Sequence, residues 1–408
     1  MPKVTGRFYT FIIVAFLLYL TANQTQVNWL YVTSALIAGV VPTAFFLNRG
    51  ALHNITGERV LNDGEPYQEF HEADEVDIAL TIKAARRRAG VHLDVMETSP
   101  LAAPDDDNRT VSVFVPMLPA GNEVTINYTQ IINRRGLHSF PPVQMKTRAP
   151  FGLFQRSGEL DVATSVLVYP EVRKLTALDF LDRQPAAQIT SQRTGIGNEV
   201  VGVRPYRPGD SPRHIHWRSV ARTGRLVSKE FAEETQPGVS IVIDRYLSPN
   251  VEHHPKHNPF ELAVKAAVSI AEYALRMRYP VYVHADDSEF PVPYGAVTWD
   301  ALMQYTARVP RADKPELSDL IEAGGFRQYV VVVISHADDA LLTPLVGLKY
   351  GGANVLAVVP DASTFPAEQT RGSLVDALHA ENIPAVELTH GKDWAEQIAD
   401  YRMLVGMG

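Results

Sequence analysis

The 408-residue chain contains no cysteine. That absence removes disulfides, thiol nucleophiles and cysteine-ligated zinc or iron–sulfur centres together, and it agrees with a reducing compartment. Positive charge is also in deficit. With 38 Lys and Arg against 46 Asp and Glu, the net charge is −8, so the protein as a whole is repelled by phosphate backbones, and nucleic acid is excluded as a bulk partner. No Gly-x-x-x-x-Gly-Lys-Ser/Thr, Gly-x-Ser-x-Gly or His-Glu-x-x-His occurs, which excludes P-loop nucleotide hydrolysis and the commonest hydrolase signatures. The Gly195-Ile196-Gly197 run does not complete a dinucleotide fingerprint, because its next glycine falls at Gly202. Glycine and proline carry no repeat, and the length provides for roughly two to three domains.

A more local absence is more informative. From Phe8 to Asn48 there is no Asp, Glu, Lys, Arg or His. Two apolar runs, Phe8 to Ala22 and Trp29 to Leu47, are separated by the turn formers Asn23, Gln24 and Gln26. A helix needs about 20 residues to cross a hydrocarbon core of about 30 Å, so the pattern predicts a two-helix transmembrane hairpin over 1–50, in the lipid bilayer through residues 8–47. Tyr9, Tyr19, Trp29 and Tyr31 stand near the run ends, where an amphipathic ring suits the interface. Lys3 and Arg7 before a short apolar stretch also suit a cleaved leader, but no small-x-small site follows Ala22 and a second run arrives at once. A buried core hairpin would carry a polar face. With Lys3 and Arg7 ahead of the hairpin and Arg49 and Arg59 behind it, the positive-inside rule predicts a two-pass protein of the cell (inner) membrane, both termini and the soluble domains cytoplasmic.

Residues 51–178 alternate in short stretches, as in Val76 to Ile82, Thr110 to Val115 and Val124 to Tyr128, broken by Pro and Gly. This is the signature of half-buried antiparallel strands and predicts a β-sandwich-like module. Phe151 and Phe154 are expected to fill its base. Arg86, Arg87 and Arg88 read as a solvated turn.

Residues 179–236 begin as a polar linker and then concentrate charge. Between Glu199 and Lys229 stand Arg204, Arg207, Arg213, Arg218, Arg222, Arg225 and Lys229 against Glu199 and Asp210 alone. Pro208-Gly209 fits a type II turn, and Ile215 to Arg222 fits a short helix ended by Gly224 in the left-handed position. Arginine interspersed with Tyr206 and Trp217 suits either an internal network of ion pairs and stacked rings or a surface for an acidic partner or a phosphate.

Residues 237–408 alternate apolar strands, at Val239 to Ile243, Val281 to His284, Tyr329 to Ile334, Ala353 to Val359 and Ala385 to Leu388, with helical stretches at Asn258 to Leu275, Trp299 to Ala307, Asp339 to Lys349, Glu368 to Ala380 and Trp394 to Leu404. That order predicts a parallel α/β domain. Ligands of such sheets sit at the carboxyl ends of the strands, here marked by Asp244 and Ser335. His253, His254 and His257 suit transition-metal chelation by composition, but beside Pro255 and Pro259 they are read as solvated loop residues.

Read together, Glu199, Gly202, Arg204, Tyr206, Gly209, Asp210, Arg213, Ile215, Trp217, Ala221, Arg222, Gly224, Leu226 and Lys229 form one long spaced pattern. It resembles the signature of the bacterial DUF58 family, with His216 where many members carry Asp. The resemblance implies a von Willebrand factor A-like (Rossmann-like) fold for 237–408, and a companion of MoxR-type AAA+ ATPases and of other membrane proteins encoded nearby. In von Willebrand A domains an Asp-x-Ser-x-Ser loop gives a divalent cation oxygen ligands. Here Asp244-Arg245-Tyr246-Leu247-Ser248 keeps only Asp244 and Ser248, so no cofactor is expected beyond a marginal Mg²⁺, and Asp244 as the cap of its own turn is the competing role. Together the multi-domain chain reads as a non-catalytic, membrane-anchored adaptor, with an uncharacterised enzyme using Asp244, Glu199 or Asp210 as the alternative.

Overall fold

A computed structural model of the chain describes residues 2–64, 69–84, 89–103, 106–183, 200–206, 215–231, 238–247, 257–285, 292–365 and 373–402. Two compact units result, Met1–Glu171 and Val172–Gly408.

In the first unit, strand β1 (Lys3–Val4) leads into helices α1 (Gly6–Thr25) and α2 (Asn28–Asn48), which turn at Gln26 in the left-handed conformation (φ 54°). Both helices are long and apolar enough to cross a bilayer, and only 11% of each apolar window is buried, unlike the core helix of a soluble protein. The hydroxyls of Thr10, Thr21, Thr25, Thr33 and Thr43 each donate to the carbonyl four residues back, and Ser34 Oγ donates across the hairpin to Ala15 O at 2.8 Å. No serine or threonine hydroxyl of these helices therefore depends on water, the condition an apolar medium imposes.

The strands that follow are β2 (Thr56–Leu61), β3 (Phe70–His71), β4 (Glu75–Lys83), β5 (Gly90–Thr98), β6 (Thr110–Leu118), β7 (Glu123–Ile131), β8 (Gly136–Ser139), β9 (Val143–Thr147), β10 (Phe154–Leu160) and β11 (Ser165–Tyr169). They form sheets ordered β2-β4-β7, β1-β10-β9-β5-β6 and β3-β11-β8. Alternation decides which faces meet. Along β4, Val76, Ile78, Leu80 and Ile82 point inward; Leu80 and Ile82 pack with Leu93, Val95, Val143 and Met145 of the five-stranded sheet, while Val76 and Ile78 pack with Val166 and Val168 of β11.

One flanking charge does not lie where the topology reading put it. Arg59 sits on the inward face of β2 with its side chain 0% exposed, its Nε 2.5 Å from Glu97 Oε1, its Nη1 donating to Val162 O at 2.7 Å and its guanidinium 4.3 Å above the Phe140 ring. An arginine buried in a sandwich contributes nothing to interfacial charge, so Lys3, Arg7 and Arg49 remain as the flanking cations.

The foot of the hairpin is fixed to the β module. Thr5 Oγ1 donates to Gly152 O at 2.6 Å, Thr5 N–H donates to Leu153 O at 3.0 Å, and buried Asn48 donates to Ala149 O at 2.8 Å. Phe8 and Phe45 close on Phe154, with ring centroids 5.5 and 5.6 Å away. Phe154 is buried as expected, but against the hairpin. Phe151 is 56% exposed at a left-handed turn (φ 61°) followed by Gly152 (φ 70°), so it does not fill the base of the sandwich.

The second unit contains α3 (Asp179–Asp182), β12 (Val200–Pro205), α4 (Trp217–Thr223), β13 (Val227–Phe231), β14 (Val239–Ile243), α5 (Pro259–Arg276), β15 (Val281–His284), α6 (Trp299–Arg308), α7 (Leu317–Ala323), β16 (Tyr329–Val333), α8 (Leu342–Tyr350), β17 (Asn354–Pro360), α9 (Leu374–Ala380), β18 (Ala385–Leu388) and α10 (Trp394–Asp400). Its main sheet is parallel throughout and ordered β15-β14-β16-β17-β18. Helices cover such a sheet on both faces, and β14 and β16 are accordingly buried at every residue. The start of α5 is specified locally: Asn258 Oδ1 accepts the Glu261 N–H at 3.0 Å and Pro259 takes the first position.

At the edge of this sheet, His284 Nε2 lies 3.1 Å from Ser240 Oγ, which also accepts the Arg327 N–H at 2.9 Å. The imidazole and the serine hydroxyl thus share one hydrogen bond inside the sheet edge. Burial, and then the Arg327 charge, hold His284 down to about 4. The unfolded chain takes up this proton first as pH falls, so stability is lost between pH 6.5 and about 4. Allowing for partial exposure, the loss is on the order of 2 kcal/mol. His284→Gln, which keeps an acceptor but cannot titrate, should flatten that segment of a denaturation-versus-pH curve; an unchanged curve would assign the acid sensitivity elsewhere.

Candidate functional site

The two arms of the charged signature are paired strands. β12 and β13 run antiparallel, with Arg204 opposite Ser228, Val203 opposite Lys229 and an irregularity between Val200 and Gly202. Tyr206 N–H continues the pairing to Leu226 O at 3.1 Å. Between the arms lies α4. His216 caps it, Nδ1 accepting the Ser219 N–H at 3.3 Å, which is the service an Asp at this position would render. Gly224 ends the helix at φ 69°, its N–H donating to Val220 O at 2.8 Å. The short helix expected from the residues is thus present, while β12 was not expected.

Trp217 is 63% exposed and Leu226 51% exposed, with Arg218, Arg222 and Arg225 exposed beside them. Arg218 and Arg222 are four residues apart on one helix face, where like charges repel. At these positions the side chains are at the surface. Glu199, Gly209, Asp210, Arg213 and Ser248 lie outside the described residues, as do Arg86, Arg87, Arg88, His253 and His254; Gly202, Arg204 and Lys229 are located by backbone alone.

The second candidate lies across the main sheet. In its order the first strand, β14, stands between the second and the third, so the connections of β14 and β16 diverge and leave a crevice at their carboxyl ends. Asp244 ends β14 at this point and is buried. Its Oδ1 accepts the Tyr246 N–H at 3.1 Å, and its Oδ2 accepts the N–H groups of Ser335 and His336 at 3.0 and 3.1 Å. Ser335 Oγ lies 3.0 Å from Asp244 O and 2.6 Å from Tyr246 O. Burial pushes the Asp244 carboxyl above the usual carboxylate range, and the three amides pull against that by favouring its charged form. The neighbouring Arg245 turns toward Glu316, Nη2 to Oε2 3.3 Å, while Ala312 N–H donates to Arg245 O at 2.8 Å. Asp244 and Ser335 are thus brought together as the strand ends implied, but both carboxylate oxygens are directed at backbone donors. Among the described residues no group of three or more His, Asp or Glu side chains is placed to hold a metal.

Two apolar helices long enough to cross a bilayer, a β module and a parallel α/β unit define a modular protein whose sequence carries none of the common hydrolase or nucleotide-binding signatures. Residues 202–359, from β12 through most of β17, match the family described as "Protein of unknown function DUF58". The resemblance read from the signature is borne out there. "Uncharacterized protein YeaD" of Bacillus subtilis (strain 168) is 23% identical over 156 residues, 38% of this chain and 37% of that relative's length. Among solved structures, a β-glucosidase from Listeria innocua in complex with glucose matches at 18% identity over 28% of this chain and 17% of its own, with a TM-score of 0.14. The GH20 exo-β-N-acetylglucosaminidase of Vibrio harveyi matches at 10% identity over 80% and 59%, with a TM-score of 0.21. Likenesses at these scores carry no argument about fold or activity.

Proposed function

We propose that this protein is a membrane-anchored, non-catalytic adaptor that receives a protein partner on the α4 to β13 surface. The observation that carries the reading is the exposed set of Trp217, Leu226, Arg218, Arg222 and Arg225 inside the DUF58 stretch. Tryptophan and arginine are the residue types that dominate the energy of protein interfaces, and a local basic patch on an acidic chain selects a partner with an acidic face. The partner proposed is a MoxR-type AAA+ ATPase, in a chaperone-like or envelope-related system. The hairpin anchors the protein in the inner membrane as a two-pass span with its soluble parts in the cytoplasm, and the parallel sheet is read as von Willebrand A-like. Asp244 joins the ends of β14 and β16 and is given neither a metal nor a proton-transfer role.

Affinity capture from detergent-solubilised membranes tests this. The wild-type chain is expected to recover a MoxR-type ATPase, and Trp217→Ala with Arg222→Glu to lose it at unchanged melting temperature. Reproducible failure of the wild type to recover any such ATPase would overturn the reading.

A further inference from the structure

Two histidines far apart in sequence meet in the second unit. His257 immediately precedes the cap of α5, and His390 follows β18 by two residues. His390 Nε2 and His257 Nδ1 are 3.2 Å apart, with ring centroids at 5.2 Å and ring planes inclined at 79°. His390 is held through both its backbone and its ring. Its backbone N–H donates to Thr364 Oγ1 at 2.9 Å, and Phe365 packs on it at a centroid distance of 4.7 Å. The loop before α5 and the loop after β18 thus bring one imidazole nitrogen each within 3.2 Å of the other.

The geometry points to a divalent transition-metal site formed by His257 Nδ1 and His390 Nε2. In a tetrahedral zinc site with Zn–N bonds of about 2.0–2.1 Å, two ligand nitrogens stand about 3.3 Å apart. The observed 3.2 Å separation is close to that edge, and a rotation of the two rings turns both lone pairs from each other to the cation. A single hydrogen occupies the space between the two nitrogens when the pair is metal-free; in the loaded state each ring carries its hydrogen on the far nitrogen and both lone pairs face the cation. Neutral imidazole suits zinc, cobalt, nickel and copper over magnesium or calcium. Two ligands from the chain leave the remaining positions to water or to an external donor, so the site takes up an ion without enclosing it. It is separate from Asp244, and it bridges the start of α5 to the end of β18, so the bound ion ties two elements of the α/β unit together.

The test uses the full chain in detergent, purified without a histidine tag, titrated with Zn²⁺ by calorimetry and with Co²⁺ by visible absorption at pH 7.5. The expected result is one ion per chain, at least tenfold weaker binding in His257→Ala and in His390→Ala, and a Zn²⁺-dependent rise in melting temperature that both variants lose. His390→Gln, which keeps a polar side chain of similar reach, controls for misfolding and is expected to melt like the metal-free wild type while binding at least tenfold more weakly. Wild-type affinity in the double variant His257→Ala/His390→Ala would overturn the proposal by moving binding to other groups such as His253 and His254, and so would the absence of stoichiometric binding to the wild type.

Discussion

Arg59→Ala, and separately Glu97→Ala, are expected to cost about 3–5 kcal/mol each, because each removes one partner of a buried pair and leaves the other charged in the core. At about 2–4 °C per kcal/mol for a unit of this size, the first unit should melt roughly 10–15 °C lower in either variant. The two losses should not add. The double variant Arg59→Met/Glu97→Leu, which fills the space with apolar atoms, is expected to melt within a few degrees of the wild type or above it. A double-mutant cycle on the melting transition decides: additive losses would mean that the pair is not coupled and that each side chain acts through other contacts. The surroundings favour coupling. Tyr128 stands beside the pair, its phenol pushed above the usual range by burial and then by the Glu97 charge, and so remains neutral and cannot take the place of Glu97 as the counter-ion.

Asp244→Ala carries the second large effect. The substitution removes the acceptor of three backbone N–H groups, from Tyr246, Ser335 and His336. Buried donors left unmade cost roughly 1–3 kcal/mol each, so the second unit is expected to lose about 3–9 kcal/mol, roughly 10 °C or more of melting temperature. Asp244→Asn turns an NH₂ group toward at least one of those donors and should recover only part of the loss. The same measurement separates a clamp from a metal ligand. Melting of the metal-free wild type should be indifferent to millimolar Mg²⁺; a rise of several degrees with Mg²⁺ that Asp244→Ala abolishes would make this carboxylate a ligand after all.

Local rules were the readable part of this chain. The Asn258, Pro259 and Glu261 sequence announces α5 because its cap is completed within four residues, and the runs at 239–243 and 329–333 read as buried strands because both of their faces are covered. The hairpin helices followed from one long stretch without charge. What was not readable depends on partners supplied from afar. Thr56 to Leu61 shows no clean alternation, so nothing marked Arg59 as an interior residue; its counter-ion is 38 residues away. Seven-residue α7 lacks a side-chain cap and was missed for want of a start signal. At Asp244 the sequence shows the turn it caps but not the two donors to its carboxylate that come from 91 and 92 residues further on. His257 was legible only as one of a local histidine group, because His390 stands 133 residues later.

The seating of the hairpin has a mechanical consequence. Its two helices enter the first unit within a few residues of Thr5 and Asn48, and both of those side chains grip the main chain of the 149–154 turn. A hairpin attached in this way behaves as a bracket and not as a leash: were it set in a bilayer as proposed, the β module would hold a fixed height and tilt against the lipid, and lateral force on that module would pass into both helices at once as torque.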